Sequence, residues 1–178
     1  MPKIVPSDTI DGVVVVELDV HADQRGTFVE PWRKEWFPDR PDMVQANHSE
    51  KVLGSLVGLH YHLKQADYWY VVRGRATVVL KDLRPGSPTS TRTLVLELGE
   101  ADRRGVYIPP GVAHGFAAHS ALTLWYMVDR TYDPDDELGV AWDDPDLAID
   151  WGIPDPVLSV RDQRNPRLAE IPAELLPS

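Results

Sequence analysis

Short runs rich in Val, Leu, Thr, Tyr and Trp return along this chain roughly every ten residues, each closed by a cluster of Gly, Pro, Asp or Ser. That rhythm restricts the fold more than any other feature. Runs this short suit strands better than helices, and turn signals this close together fold neighbouring runs back on one another. They fall at 13–18, 27–32, 43–49, 53–62, 68–72, 76–82, 91–98, 105–108, 114–118 and 122–132, with a turn at Asp23-Gln-Arg-Gly26. Helical periodicity is weak throughout. Residues 32–37 are expected to make one turn and 172–176 a short terminal helix opened by Pro172. From Asp133 onward Pro, Asp and Trp take over, which suits a segment wrapped around a barrel. The expectation is one all-β domain over 1–178, a double-sheet jelly roll (double-stranded β-helix). Its core lies at about 13–132, with a loop-rich C-terminal segment at about 133–178. Bare sheet edges invite pairing, so a homodimer is expected of such a fold.

Composition removes several classes of function. With no cysteine, the chain has no disulfide framework, no thiolate metal site and no thiol nucleophile. Twenty-eight acidic against 18 basic side chains give a formal charge of −10, a poor match to nucleic acid. No apolar run approaches the ~20 residues that span a bilayer, so no membrane partner is expected. The first residues lack the basic-then-apolar pattern of a secretory signal, and the expected location is the cytoplasm. Six Trp and six Tyr against three Phe suit the wall of a pocket for a polar ligand.

The densest chemistry lies in Gly58-Leu-His-Tyr-His62 and the residues that follow it to Gly74. Residues two apart in a strand share a face, so His60 and His62 point one way and Tyr61 the other. Two imidazoles on an inner wall can ligate a metal together with a carboxylate and a third His. Equally, one can act as general base while the other contacts substrate. Pro109-Pro-Gly-Val-Ala-His114 brings a third histidine at the start of a strand. Asp162, in Leu158-Ser-Val-Arg-Asp162, matters if the fold carries it to His60, where a carboxylate would fix the tautomer. Tyr126 and Tyr132, six apart on the last long run, are expected on one face, and a phenol there can deliver a proton opposite a base. His21, His48 and His119 read as ordinary structural or surface residues.

Taken in order, nine blocks resemble the dTDP-4-dehydrorhamnose 3,5-epimerase family, sugar-nucleotide isomerases with the cupin (jelly-roll) fold. They begin with Asp23-Gln-Arg-Gly-Thr-Phe-Val-Glu30, Gln45-Ala-Asn-His-Ser49, Gly58-Leu-His-Tyr61, Val71-Val-Arg-Gly74 and Asp82-Leu-Arg-Pro-Gly-Ser-Pro-Thr89. Ile108-Pro-Pro-Gly-Val-Ala-His-Gly-Phe116, Tyr132-Asp-Pro134, Trp142-Asp-Asp-Pro145 and Leu158-Ser-Val-Arg-Asp162 complete the set. The likeness runs from about Asp23 to about Leu168. It implies deoxysugar-biosynthetic epimerisation of a nucleotide-linked 4-keto-6-deoxy hexose, with no cofactor. By that resemblance His60 is the base, Asp162 its carboxylate and Tyr126 the opposing acid. Arg25, Glu30, Gln45 and Asn47 would bind nucleotide and diphosphate, while His62, His114 and Tyr132 line the sugar site.

Three positions depart from the family pattern. Val57 stands where an arginine precedes Gly-Leu-His, Asp67 where many members have lysine, and His62 where glutamine or another residue is usual. A carboxylate in place of a cation beside a developing enolate should hurt epimerisation. The same changes give His60-x-His62-x4-Asp67 followed by His114, close to the metal motif of general cupins. Two alternatives therefore accompany the epimerase reading. One is a cupin enzyme with a divalent transition metal on His60, His62, Asp67 and His114. The other is a non-catalytic binder of sugar nucleotides.

Overall fold

The computed structural model describes residues 1–177. Thirteen strands form: β1 (Lys3–Pro6), β2 (Val14–Glu17), β3 (Val20–Asp23), β4 (Gly26–Val29), β5 (Gln45–Lys51), β6 (Leu56–Tyr61) and β7 (Asp67–Arg73), followed by β8 (Arg75–Asp82), β9 (Thr93–Gly99), β10 (Arg104–Ile108), β11 (Val112–Ala118), β12 (Leu122–Val128) and β13 (Leu138–Gly139). Among the described residues the only helical pieces are 3-10 turns, including Lys34–Trp36 and Ala173–Leu175, close to the two places expected. No helix there is long and apolar enough to cross a membrane.

The strands assort into a six-stranded sheet, β1-β2-β10-β7-β12-β5, and a five-stranded sheet, β13-β6-β11-β8-β9, while β3 and β4 pair only with each other. Neighbours in both large sheets run antiparallel. Non-consecutive strands lie side by side, the mark of a jelly roll rather than a meander. Period-two alternation decides what each strand buries. Trp69, Val71, Leu122 and Leu124 of the larger sheet meet Val78, Leu80, Val112 and Phe116 of the smaller one in the core between the sheets.

The outer faces are covered too. Leu56, Leu59, Tyr61, Ala113 and Ala117 of the smaller sheet lie beneath Val140, Trp151 and Ile171 of the C-terminal segment. On the other side Val14, Val16, Tyr68, Tyr70 and Tyr107 pack against Phe37, with Trp32, Trp36 and Met43 around them. A buried Val, Leu or aromatic side chain contributes about 1.5–3 kcal/mol. Each cover therefore stabilises the sheet it lies on, and the C-terminal wrapping agrees with its sequence.

One expectation needs correction, and three strands fall outside the expected runs. The last long run stops at Val128 rather than reaching Tyr132. Asp129 ends it, turning its carboxylate to the Ala66 N–H (2.8 Å) instead of continuing the ladder. Tyr126 and Tyr132 therefore do not share a strand face. Strands β1, β3 and β13 lie outside the expected runs: every residue of β1 and β3 is exposed, and β13 is only two residues long.

Candidate active site

A cavity of about 280 Å³ opens between the two sheets. Strand β6 reaches it through an irregularity. Phe116 of β11 pairs with Val57 and His114 pairs with His60, so two steps on β11 face three on β6. The extra residue is a bulge at Gly58, whose φ of +109° suits glycine. It leaves Leu56, Leu59 and Tyr61 outward under the C-terminal segment and turns Val57 and His60 inward. His62 lines the same cavity just past the strand end.

His60 meets Asp162 at 2.6 Å, Nε2 to Oδ1, across 102 positions of sequence. The other carboxylate oxygen accepts from Ser159 Oγ (2.7 Å), and Ser159 Oγ accepts from the Asp162 N–H (3.0 Å). Burial pushes the Asp162 carboxyl up. Hydrogen bonds from His60, Ser159 and the Gly58 N–H outweigh it and hold the group below its usual range. An ionised Asp162 accepts a hydrogen bond from His60 Nε2–H, so the free lone pair of His60 is on Nδ1. Tyr126 comes from β12, in the opposite sheet, and lines the same cavity. Burial, followed by the carboxylates of Asp67 and Glu137, raises its hydroxyl, which keeps its proton at neutral pH.

A second group lies deeper. His62, Asp67 and His114 are all buried, and one ligand atom from each lies within 4.8 Å of the others. His62 Nδ1 donates to the Asp136 carbonyl (2.7 Å) and His114 Nδ1 to the Val112 carbonyl (3.0 Å). Asp67 accepts from Gln65 Nε2 (2.9 Å) and Trp69 Nε1 (3.0 Å). Burial drives His114 well below the usual imidazole range, with Asp67 opposing and His62 assisting, so it is neutral near pH 7. His60 is not in this group, because its Nε2 is already held by Asp162. The four-ligand set drawn from sequence therefore reduces to three.

Gln45 and Asn47 line the cavity and bond each other, Nε2 to Oδ1 at 2.9 Å. Tyr132 also lines it, from the loop beyond β12, and is 68% exposed. Arg25 and Glu30 are elsewhere. Arg25 sits at the tip of the β3–β4 hairpin, paired with Asp23 (2.5 Å), and Glu30 pairs with Arg33 (2.7 Å). Neither lines the cavity of its own chain. Val57 does, as an apolar wall, and the cations that line it are Lys51 and Arg161, the latter bound to Glu137.

Several contributors carry no clear sequence signal. Asp136 caps the N–H groups of Leu63, Lys64 and Gln65 (2.7–3.2 Å) and so shapes the loop carrying His62. Gln65 and Trp69 dress Asp67. Ser159 could have been found from its place three residues before Asp162, the spacing at which a hydroxyl and a following carboxylate engage each other locally.

The family model for dTDP-4-dehydrorhamnose 3,5-epimerase matches residues 7–170. This chain belongs to that family. It is 42% identical over 178 residues to dTDP-4-dehydrorhamnose 3-epimerase of Streptomyces niveus, covering 95% of this chain and 86% of that protein. Its fold matches NovW, a 4-keto-6-deoxy sugar epimerase from the novobiocin biosynthetic gene cluster of Streptomyces spheroides, with a TM-score of 0.94 and 40% identity; the match covers 100% of this chain and 94% of the other. The enzyme of Legionella pneumophila in complex with dTDP-4-keto-L-rhamnose matches with a TM-score of 0.92 and 34% identity, over 99% and 98% of the two chains. The jelly roll read from sequence is the family's cupin architecture.

Proposed function

We propose that this protein epimerises a dTDP-linked 4-keto-6-deoxy hexose at a carbon next to the ketone, in deoxysugar biosynthesis and in the cytoplasm. The observation that carries the reading is the 2.6 Å His60–Asp162 pair, with Tyr126 entering the same cavity from the other sheet. His60 Nδ1 removes the proton α to the ketone, the C–H electron pair forms an enolate, and the imidazolium is stabilised by Asp162. Tyr126 Oη then returns a proton to the opposite face of the carbon, and the C=O is restored. Proton exchange with solvent resets both groups. Gln45, Asn47, His62, His114 and Tyr132 supply polar contacts to the sugar and diphosphate.

Arg25 and Glu30 serve the nucleotide only if a second copy delivers them. The hairpin that carries Arg25 pairs with no other strand and exposes Phe28 (67%) and Val20 (46%), which supports a homodimer that covers it. Sedimentation should give twice the chain mass, and Arg25→Ala should weaken dTDP binding; a monomer whose dTDP affinity is unchanged would remove the hairpin from the site.

Incubation with dTDP-4-keto-6-deoxyglucose in D2O tests the chemistry. Deuterium should enter C3, C5 or both. His60→Ala should slow that exchange by about 10²–10⁴-fold. Tyr126→Phe should retain wash-in while losing inverted product. Binding without exchange in the unaltered protein would make it a sugar-nucleotide binder instead.

A further inference from the structure

We propose that His62, Asp67 and His114 form a binding site for one divalent transition-metal ion. Both imidazoles spend their Nδ1 proton on a backbone carbonyl, at 2.7 and 3.0 Å, which fixes the tautomer and leaves a lone pair on each Nε2. Those lone pairs face the Asp67 carboxylate, at 3.9 Å from His62 to Oδ1 and 4.0 Å from His114 to Oδ2. These separations are too long for hydrogen bonds, and neither nitrogen has a proton to give. His114 Nε2 makes no hydrogen bond among the described residues although its side chain is only 5% exposed. The Gln65 amide donates to both His62 Nε2 (3.2 Å) and Asp67 Oδ1 (2.9 Å), so it occupies part of the space between these two acceptors and has to swing aside when an ion binds.

The donor set narrows what that cation is. Two neutral nitrogens and one carboxylate suit Fe, Mn, Co, Ni or Zn rather than Mg or Ca, which prefer all-oxygen surroundings. Ligands bound at about 2.0–2.2 Å to one ion lie roughly 3.0–3.5 Å apart, so closing on a metal needs shifts of about 1 Å or less. The Trp69 indole holds Asp67 from behind, and the backbone carbonyls hold both rings, the outer supports such a site needs. All three side chains also line the cavity containing His60 and Tyr126, so open coordination positions face the space where a substrate would bind. Resting on the epimerase reading, such an ion would supply positive charge for the enolate oxygen.

The test uses the full chain, stripped with chelator and titrated with Co²⁺, Ni²⁺ or Zn²⁺. Elemental analysis after desalting should give close to one equivalent. Bound Co²⁺ should show visible d–d bands, and the melting temperature should rise with metal. Asp67→Asn and His114→Gln should each weaken binding at least about tenfold, whereas His60→Asn should leave it unchanged. A folded, unaltered protein that retains less than about a tenth of an equivalent of each ion, with no shift in melting, overturns the site. So does binding that survives both Asp67→Asn and His114→Gln. Should either variant fail to fold by circular dichroism, the Co²⁺ spectrum of the unaltered protein decides, because imidazole ligation moves its bands from those of the hydrated ion. Metal bound without deuterium exchange would sink the epimerase reading and leave the site; exchange undiminished in metal-free protein would remove the ion from the reaction alone.

Discussion

Asp162 is 3% exposed and reaches His60, the Gly58 N–H and its own short turn, so the one ring its charge touches is that of His60. Asp162→Asn keeps the shape but removes the ionised acceptor, and deuterium wash-in should fall by about 10²–10⁴-fold in a chain that still folds, with a lowered melting temperature. The sign of the pH response follows from the depressed carboxyl. The stability it contributes is complete above the unfolded value and is lost as pH falls through the lower folded one, so unfolding should become easier on the acid side. The sequence carried His60, His62 and His114 to one cavity by strand alternation and glycine-flanked blocks. It assigned Asp162 by resemblance. It gave no hint of Asp136, Gln65 or Trp69, whose importance lies in hydrogen bonds made by the folded chain.

At the scale of the strand, the bulge in β6 sets which histidines face inward. A Cβ on Gly58 would lie 2.7 Å from both the Gly115 Cα and the His114 carbonyl, and the backbone there has φ of +109°. Gly58→Ala should cost about 2–4 kcal/mol in urea unfolding and displace His60 from Asp162. Gly105 of β10 faces a comparable limit, since a Cβ there would overlap Tyr68 Oη on its way to the Pro31 carbonyl. Short apolar runs closed by turn residues made the buried strands legible, and β7, β8 and β11 are indeed nearly continuous buried runs, covered on both faces. The bulge was not legible, since one extra residue in a glycine-flanked run leaves composition unchanged. Strands β1 and β3, exposed along their whole length, left no such pattern to read.

Across the whole molecule, Asp82 at the end of β8 ties separate segments together. Its buried carboxylate accepts from Arg84, Ser87 and Thr89, while Arg84 and Thr89 also bond the backbone of Asp11. Burial alone would raise this carboxyl, but the three donors prevail and hold it at about 2 against an ordinary 3.8. That shift contributes about 2 kcal/mol above pH 4, which is lost as pH falls from about 4 to about 2. Acid titration of unfolding should show this loss, and Asp82→Asn should cost about 3 kcal/mol at neutral pH because the Arg84 charge is left without its partner. The jelly roll as a whole was plain from the spacing of turns; the route by which its ends are tied was not, since that depends on residues 78 and 73 positions apart.

The carboxylate that orients His60 lies in the segment laid over the smaller sheet, after the last strand of the barrel has closed. A nascent chain that has completed β12 thus still lacks β13 beside His60 and the carboxylate that holds its ring. The same segment both covers the smaller sheet and brings Asp162 to His60, so loosening that cover would disturb the pair as well as the packing.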